Sequence, residues 1–287
     1  LPFNSNSVQP SQNISASGVI RGDRNPAEGV PGNIDVAGDI VVPVDYVAFG
    51  HWLKMCFDDP STTVITADTK WQHVFKIGAG MPSFTLEQCF PGIGQYTKIS
   101  GCKIGKLSVS FGGDGELTAT LSVVGKKAEY ETEQLVETPT EVTFSPAYNL
   151  QAQVKIGGNV VGKISAFSLD VDFGVDTEGY GIGGEGFRQA VCDGICAISG
   201  TMEAFFADST YNDLAANSTK TSAEIVLTHG DDESLSFKLP EMKFAWAGTP
   251  IEGPTAVKQS LSYNAFYKND SAGSAIVVTL QNGQEEY

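Results

Sequence analysis

Between Ile34 and Val44, apolar or small residues fall on alternate positions: Ile34, Val36, Gly38, Ile40, Val42 and Val44. This is the period of two that a half-buried β-strand requires. The period then changes. Phe49, Trp52, Leu53, Cys56 and Phe57 are spaced i, i+3, i+4, i+7 and i+8, which puts all five on one face of a short helix, and Asp45 stands where an N-cap would. Extended segments follow, HVFKIGAG and SFTLEQCF. A strand pair comes next, KIGKLSVSFGGDGELTATLSVVGK, with its turn at Gly112 to Gly115.

The same order returns further along the chain. A shift of 162 places Cys196, Ile198, Gly200, Met202, Ala204 and Phe206 on the first strand, and Tyr211, Leu214 and Ala215 on Phe49, Trp52 and Leu53. The glycine before the strand recurs as well, Gly32 with Gly194. SAEIVLTHG and ESLSFKLP then stand for the two extended segments, and MKFAWAGTPIEGPTAVKQSLSYNAFY for the strand pair, with a turn near Gly253 and Pro254. Gly38 to Ile104 spans 66 residues and Gly200 to the matching Phe244 spans 44. The extra length of the first copy lies between Phe57 and Phe90, where DDPSTTVITADTKWQHV is expected to project as a loop. The pattern predicts a mainly β chain of two tandem modules, each with one short helix. The expected boundaries are an arm at 1–19, modules at 20–147 and 148–271, and a C-terminal strand or tail at 272–287.

Composition agrees with strands and turns. Charged residues make up 18% of the 287 and there are 32 glycines, fewer charges and more glycine than an ordinary globular chain carries. The net charge is -16, and no Lys/Arg cluster could neutralise a run of phosphates, which argues against a conventional nucleic-acid binder. Cys56, Cys89, Cys102, Cys192 and Cys196 are read as reduced thiols. No second pair joins Cys192 and Cys196, and His51, His73 and His229 are scattered, so no metal site is expected and no cofactor is called for. No apolar run approaches the roughly 20 residues of a membrane span.

Several motifs dissolve on inspection. Gly181, Gly183 and Gly186 carry the G-x-G-x-x-G spacing of a dinucleotide site, but the stretch that follows becomes the repeated strand and not the helix whose N-terminus would hold a pyrophosphate. A glycine loop between strands is expected instead. Arg21-Gly22-Asp23 spells a short adhesive motif in a polar loop. Asn13, Asn217 and Asn269 head glycosylation sequons to which no role is assigned. Hydrolysis would need a nucleophile with a base or two carboxylates at a working separation, and acid pairs such as Asp58-Asp59 and Asp231-Asp232 sit in turn-like sequence. The stretch AEYETEQLVETPTEVTFSP reads as an acidic extended edge that discourages uncontrolled pairing.

The order of these segments resembles the tail tube proteins of long-tailed, siphovirus-like bacteriophages over most of residues 20 to 270. It is carried by the polar arm, NIDVAGDIVVPV, YVAFGHWLKMCF, HVFKIGAGMPSFTLEQCF and SGCKIGKLSVSF, and by their second-half counterparts. The resemblance implies β-sandwich modules, each with a flanking helix, that assemble into rings, the rings stacking into a hollow virion tube through which DNA passes without specific binding. It implies no enzyme activity, cofactor, metal or membrane partner. The expected partners are further copies of the chain and the tape-measure, tail-terminator and distal tail proteins, with assembly in the bacterial host cytoplasm. Many relatives carry one module per chain, so a tandem chain is expected to form a trimer acting as a pseudo-hexamer, with an acidic lumen. The arm is expected to find no packing on its own module and to strap neighbouring rings together through Leu1, Phe3 and Val8, with Trp71 as a further inter-ring contact. The alternatives are a surface adhesin or decoration module using the Arg21 loop, and a glycan-processing all-β enzyme.

Overall fold

A computed structural model describes residues 1–67, 69–249 and 256–287. The chain is mainly β, built, among the described residues, from antiparallel strands and two short α-helices. The first part runs β1 (Ser5–Asn6), β2 (Gln9–Ser15), β3 (Val30–Pro43), α1 (Phe49–Phe57), β4 (Ser61–Thr66), β5 (Lys70–Lys76), β6 (Phe84–Phe90), β7 (Gln95–Phe111), β8 (Thr118–Val124) and β9 (Lys127–Glu131). The second runs β10 (Ala152–Ile156), β11 (Asn159–Val160), β12 (Ile164–Asp172), β13 (Ala197–Phe205), α2 (Thr210–Ala216), β14 (Thr221–His229), β15 (Glu233–Phe244), β16 (Lys258–Ala265) and β17 (Val277–Asn282).

The period-two residues of β3 face inward: Val36, Ile40 and Val42 are buried. The apolar stripe of α1 is buried along its whole length. In the shorter α2 only Ala215 is. Asp45 is not an N-cap. Ala48 holds that position, and Asp45 instead turns the chain ahead of the helix, its Oδ1 accepting the N–H groups of Val47 and Ala48. The expected turn at Gly253 and Pro254 lies outside the described residues.

The strand ladders repeat register for register. Gly38 faces Val123, which faces Ile104; Gly200 faces Tyr263, which faces Phe244. The β6–β7 ladder slips between Phe84 and Leu86, and the β14–β15 ladder slips at the matching place, between Thr221 and Ala223. In both, the bulge bends a long strand so that it serves two sheets. The first half of β7 pairs with β6 and β9, and its second half pairs with β8 and β12. Likewise β15 pairs with β14 and β17 and then with β16.

One six-stranded run, β3-β8-β7-β12-β13-β16, therefore crosses both halves, and its middle ladder is β7 against β12, from Phe167 opposite Phe111 to Asp172 opposite Lys106. A single apolar core lies beneath it. Rings from the two halves meet there, Phe111 with Phe237 and Phe57 with Phe173.

Within the expected arm at 1–19, residues 5–15 do not stand off. β1 and β2 pair with β3 and Val8 is buried, because the strand edge of β3 offers the arm the backbone partners that its polar sequence lacks on its own. The extra length before β6 is not a free loop either. It is the β4–β5 hairpin, and β5 pairs with β17, Trp71 opposite Asn282. Trp71 is buried in that ladder.

Gly38 and Gly200 have one cause in common. A Cβ on Gly38 would strike the backbone of Ser7, and one on Gly200 would strike the carbonyl of Ser168 and the Tyr263 hydroxyl. Gly200→Ala is expected to cost about 1–3 kcal/mol by overpacking. Gly105→Ala, where a Cβ meets only ordinary contacts, should cost clearly less, and equal losses in urea melts of the two variants would show that close approach is not the reason for the glycine.

The joint between the halves buries a carboxylate. Asp45 is 1% exposed, and among the described residues its Oδ2 has no partner. Glu233, held by Ser145 and His229, adds a second negative charge nearby. Burial first, and Glu233 last, raise the Asp45 pKa to about 6 against the lowering pull of its backbone bonds. Since the folded value lies above the unfolded one, the group's stabilising contribution is complete below about pH 4 and is lost as pH rises through 6. Between pH 4 and pH 7, Asp45→Asn should gain on the parent by roughly 2–3 kcal/mol, read as the difference between denaturation curves at the two pH values. A constant difference would refute the assignment.

Candidate functional site

Alternation along the six-stranded run sends one set of side chains into the core and leaves a second, polar set on the opposite face. A transverse row of the ladders reads Val41, Thr120, Ser108, Asp170, Ser199 and Asn264. Flanking rows add Asp39, Ser122, Lys106 and Asp172 on one side and Glu203 and Ser260 on the other. Small hydroxyl residues dominate this surface, and they bond across strands. Ser108 Oγ donates to Asp170 at 2.6 Å, Ser122 Oγ to Asp39 at 2.6 Å, and the Ser168 and Thr201 hydroxyls lie 3.0 Å apart.

Two lysines near this face are engaged in ion pairs, and Lys258 lies over the Phe205 ring. Lys106 sits 2.9 Å from Asp170 and Lys103 pairs with Asp193. Burial pushes the Asp170 and Asp193 carboxyls upward, but their bonds from Ser108, Lys106, Lys103 and the Met81 N–H outweigh it and hold both below the usual range. Such pairs leave little free positive charge for a polyanion.

The other functional element is the seam between the halves. The loop between β12 and β13 contains the glycine fingerprint, with Gly183 and Gly186 at positive φ, and it forms no phosphate site because β13 follows it. It lies across the first half instead. Arg188, 3% exposed, donates from Nη1 to the carbonyls of Val36 and Gly125, from Nε to Thr177, and from Nη2 to Asp35. Ile34 N–H bonds the Gly186 carbonyl, and the Tyr180 hydroxyl donates to the Ile34 carbonyl.

The four sequence-derived contact candidates do not all come together. Leu1 and Phe3 are exposed, at 44% and 59%, whereas Val8 and Trp71 are buried within the subunit. Leu1, Phe3 and Val8 line a groove of about 740 Å³ with Trp52, Met55 and Phe90, and Trp71 is not part of it. Arg21 is exposed and pairs loosely with Asp23 at 3.8 Å. Burial raises the thiols of Cys56, Cys102 and Cys196, the last two to about 12 and about 11. Arg188 and the polar face escaped sequence reasoning. Period two marked the inward residues, and the outward ones carried meaning only once the neighbouring strands were known.

A family model described as phage tail tube protein matches residues 5–265. No curated protein matches the chain.

Removing the guanidinium should loosen the seam. Arg188→Ala takes the guanidinium donor from the Thr177 and Gly125 carbonyls and leaves the Val36 carbonyl with the Gly125 N–H alone, and is expected to cost about 2–3 kcal/mol. Asp35→Asn should cost less than about 1 kcal/mol because its carboxylate is half exposed. Equal effects in chemical denaturation would mean that the ion pair, and not the carbonyl bonds, carries the seam.

Proposed function

The chain belongs to the phage tail tube protein family, and we propose that three copies close each ring of the tube, every chain supplying two consecutive module positions. It is a structural subunit of the virion tail that self-assembles into a tube and associates with other tail proteins. The observation that carries the trimer is the recurrence of ladders β3·β8, β7·β8, β6·β7 and β7·β9 as β13·β16, β15·β16, β14·β15 and β15·β17. A tandem duplication accounts for this. On that reading β1 and β2 belong to the first module and β17 to the second, with residues 132–163 as the connection.

The six-stranded run would form part of a closed barrel wall, since closure removes exposed sheet edges. Its polar face, with Asp39, Asp170, Asp172 and Glu203, would line the lumen. A wall of hydroxyls and carboxylates, with Lys106 held by Asp170 and Lys258 over the Phe205 ring, gives phosphates few cations to exchange counterions with, so DNA passes without being held. Residual negative potential acts over about 10 Å at 0.1 M salt. No catalytic residue is assigned in this role. Stacking would use surfaces away from the ladders: Leu1 and Phe3, and the tip of the β4–β5 hairpin, where Val64 and Ile65 are exposed. Val8 and Trp71, being buried, would not take part. The ends of the tube would meet the tape-measure, terminator and distal tail proteins.

A reconstruction of tubes grown from the purified chain tests the whole reading. It should show three chains per ring, Ser108 and Asp170 turned to the lumen, and the hairpin tips against the next ring. Six chains per ring would overturn the pseudo-hexamer, and a basic inner wall would overturn the assignment of the lumen face.

A further inference from the structure

The ladder that joins the two halves of one chain is also a template for the ladder that joins two chains. β12 has a counterpart in the N-terminal strands at a constant shift of 161. Ser5 and Asn6 face Val41 and Ile40 as Ala166 and Phe167 face Glu203 and Met202, and Gln9 and Ser11 face Ala37 and Asp35 as Asp170 and Asp172 face Ser199 and Ala197. The backbone clash that keeps Gly38 and Gly200 as glycine obeys the same shift, Ser7 against Ser168. β7 has its counterpart in β15 at a constant shift of 140, Ile104 to Phe244.

The outcomes for the two halves differ. β12 has strands on both edges, β13 and β7. Among the described residues, β2 pairs on one edge only, with β3. The matching vacancy is at the far end of β15. Residues 106–111 of β7 hold β12, whereas 245–249, which continue β15, form no ladder with a second strand on that side among the described residues, and Ala245 to Gly248 are exposed with Trp246 at 74%.

From these registers we infer that β2 of one copy inserts beside residues 245–249 of the next copy, antiparallel, with Gln9 opposite Gly248 and Ser11 opposite Trp246. The inference rests on the ring reading above and names its contact. Two backbone bonds follow by correspondence. Phe173 N–H donates to the Gly105 carbonyl within the chain, so Gln12 N–H donates to Ala245 of the neighbour. The pair Val171 and Leu107 becomes Pro10 and Ala247, in which the Pro10 carbonyl accepts and its ring nitrogen donates nothing. Val8 is already engaged, its N–H with Asn6 Oδ1 and its carbonyl with Gln88. The seam is short and partly blocked, so it forms only in this register.

The preceding loops support the same geometry. The β12–β13 loop seats on the first module through Arg188 and Tyr180. Its counterpart, residues 16–29 between β2 and β3, projects with Val19 67% and Ile20 96% exposed. In the ring this loop would rest on the neighbour's second module, which covers both side chains.

The test is a cysteine pair, in a background where the exposed Cys89 and Cys192 are replaced by serine. Gln9→Cys with Gly248→Cys places thiols at a non-hydrogen-bonded pair, where Cα atoms lie about 4.5 Å apart and a disulfide closes without strain. Assembled tubes, oxidised and run without reductant, should give covalent dimers and trimers. The same protein held as monomer should give none, and Gln12→Cys with Gly248→Cys should give at most about a tenth as much. Asp170→Cys with Ser108→Cys, the in-chain equivalent, should close within each monomer and certify the register. Hydrogen exchange on the unmodified protein should show protection of 245–249 on assembly. Tubes that form without this crosslink or protection overturn the seam and leave the tube reading standing. A chain that forms neither rings nor tubes overturns both.

Discussion

A strand edge is a row of backbone donors and acceptors, and in this subunit almost every architectural choice follows from giving that row a partner. The N-terminal residues are polar and could not pay for their own ordering by apolar burial, yet they are fixed because β3 has an edge to offer. The central ladder of β7 and β12 joins the strands of the two halves into one continuous sheet, and Arg188 ties the β12–β13 loop to the first half through the Val36 and Gly125 carbonyls. Where the chain must instead pass from one sheet to another, a bulge does the work, and the same bulge appears at Ile99–Cys102 and at Leu239–Met242.

The inward face of this architecture was legible in the sequence. Alternation located β3, the i, i+3, i+4 stripe located α1, and the shift of 162 aligned Gly38 with Gly200 before any ladder was known. What the sequence did not reveal was pairing. Residues 1–19 looked unable to pack because their few apolar side chains are a poor guide to a segment held by backbone bonds. The stretch DDPSTTVITADTKWQHV looked like a loop because its alternation is mixed with turn residues, and its partner β17 lies more than two hundred positions away. Asp45 looked like a cap because sequence cannot distinguish a carboxylate on the first turn from one that folds the approach to it. The polar face had no signal at all, since serine and threonine at alternate positions are equally at home on any solvated strand.

Electrostatics divides the molecule in a way that net charge alone conceals. On the polar face Asp170 is paired with Lys106 and Ser108 and Asp39 with Ser122, and Asp170 and Asp193 remain readily ionised. At the joint between the halves, Asp45 is trapped near Glu233 with an oxygen unsatisfied, a local cost kept where the turn into α1 meets the β14–β15 turn. The backbone bonds it accepts from Val47 and Ala48 give it a structural task that an apolar residue could not perform.

The hairpin that lengthens the first half pairs with the last strand of the second, Trp71 opposite Asn282, and this bears on the order in which the chain can be made. Contacts between such distant segments are slow to form, because loop closure must come before they stabilise anything. During synthesis β5 emerges before β17 and has to wait for it before their ladder can close. That ladder thus closes only when β17 arrives, and a product truncated before it carries an open edge on β5 that marks it as incomplete before it can join a growing tail.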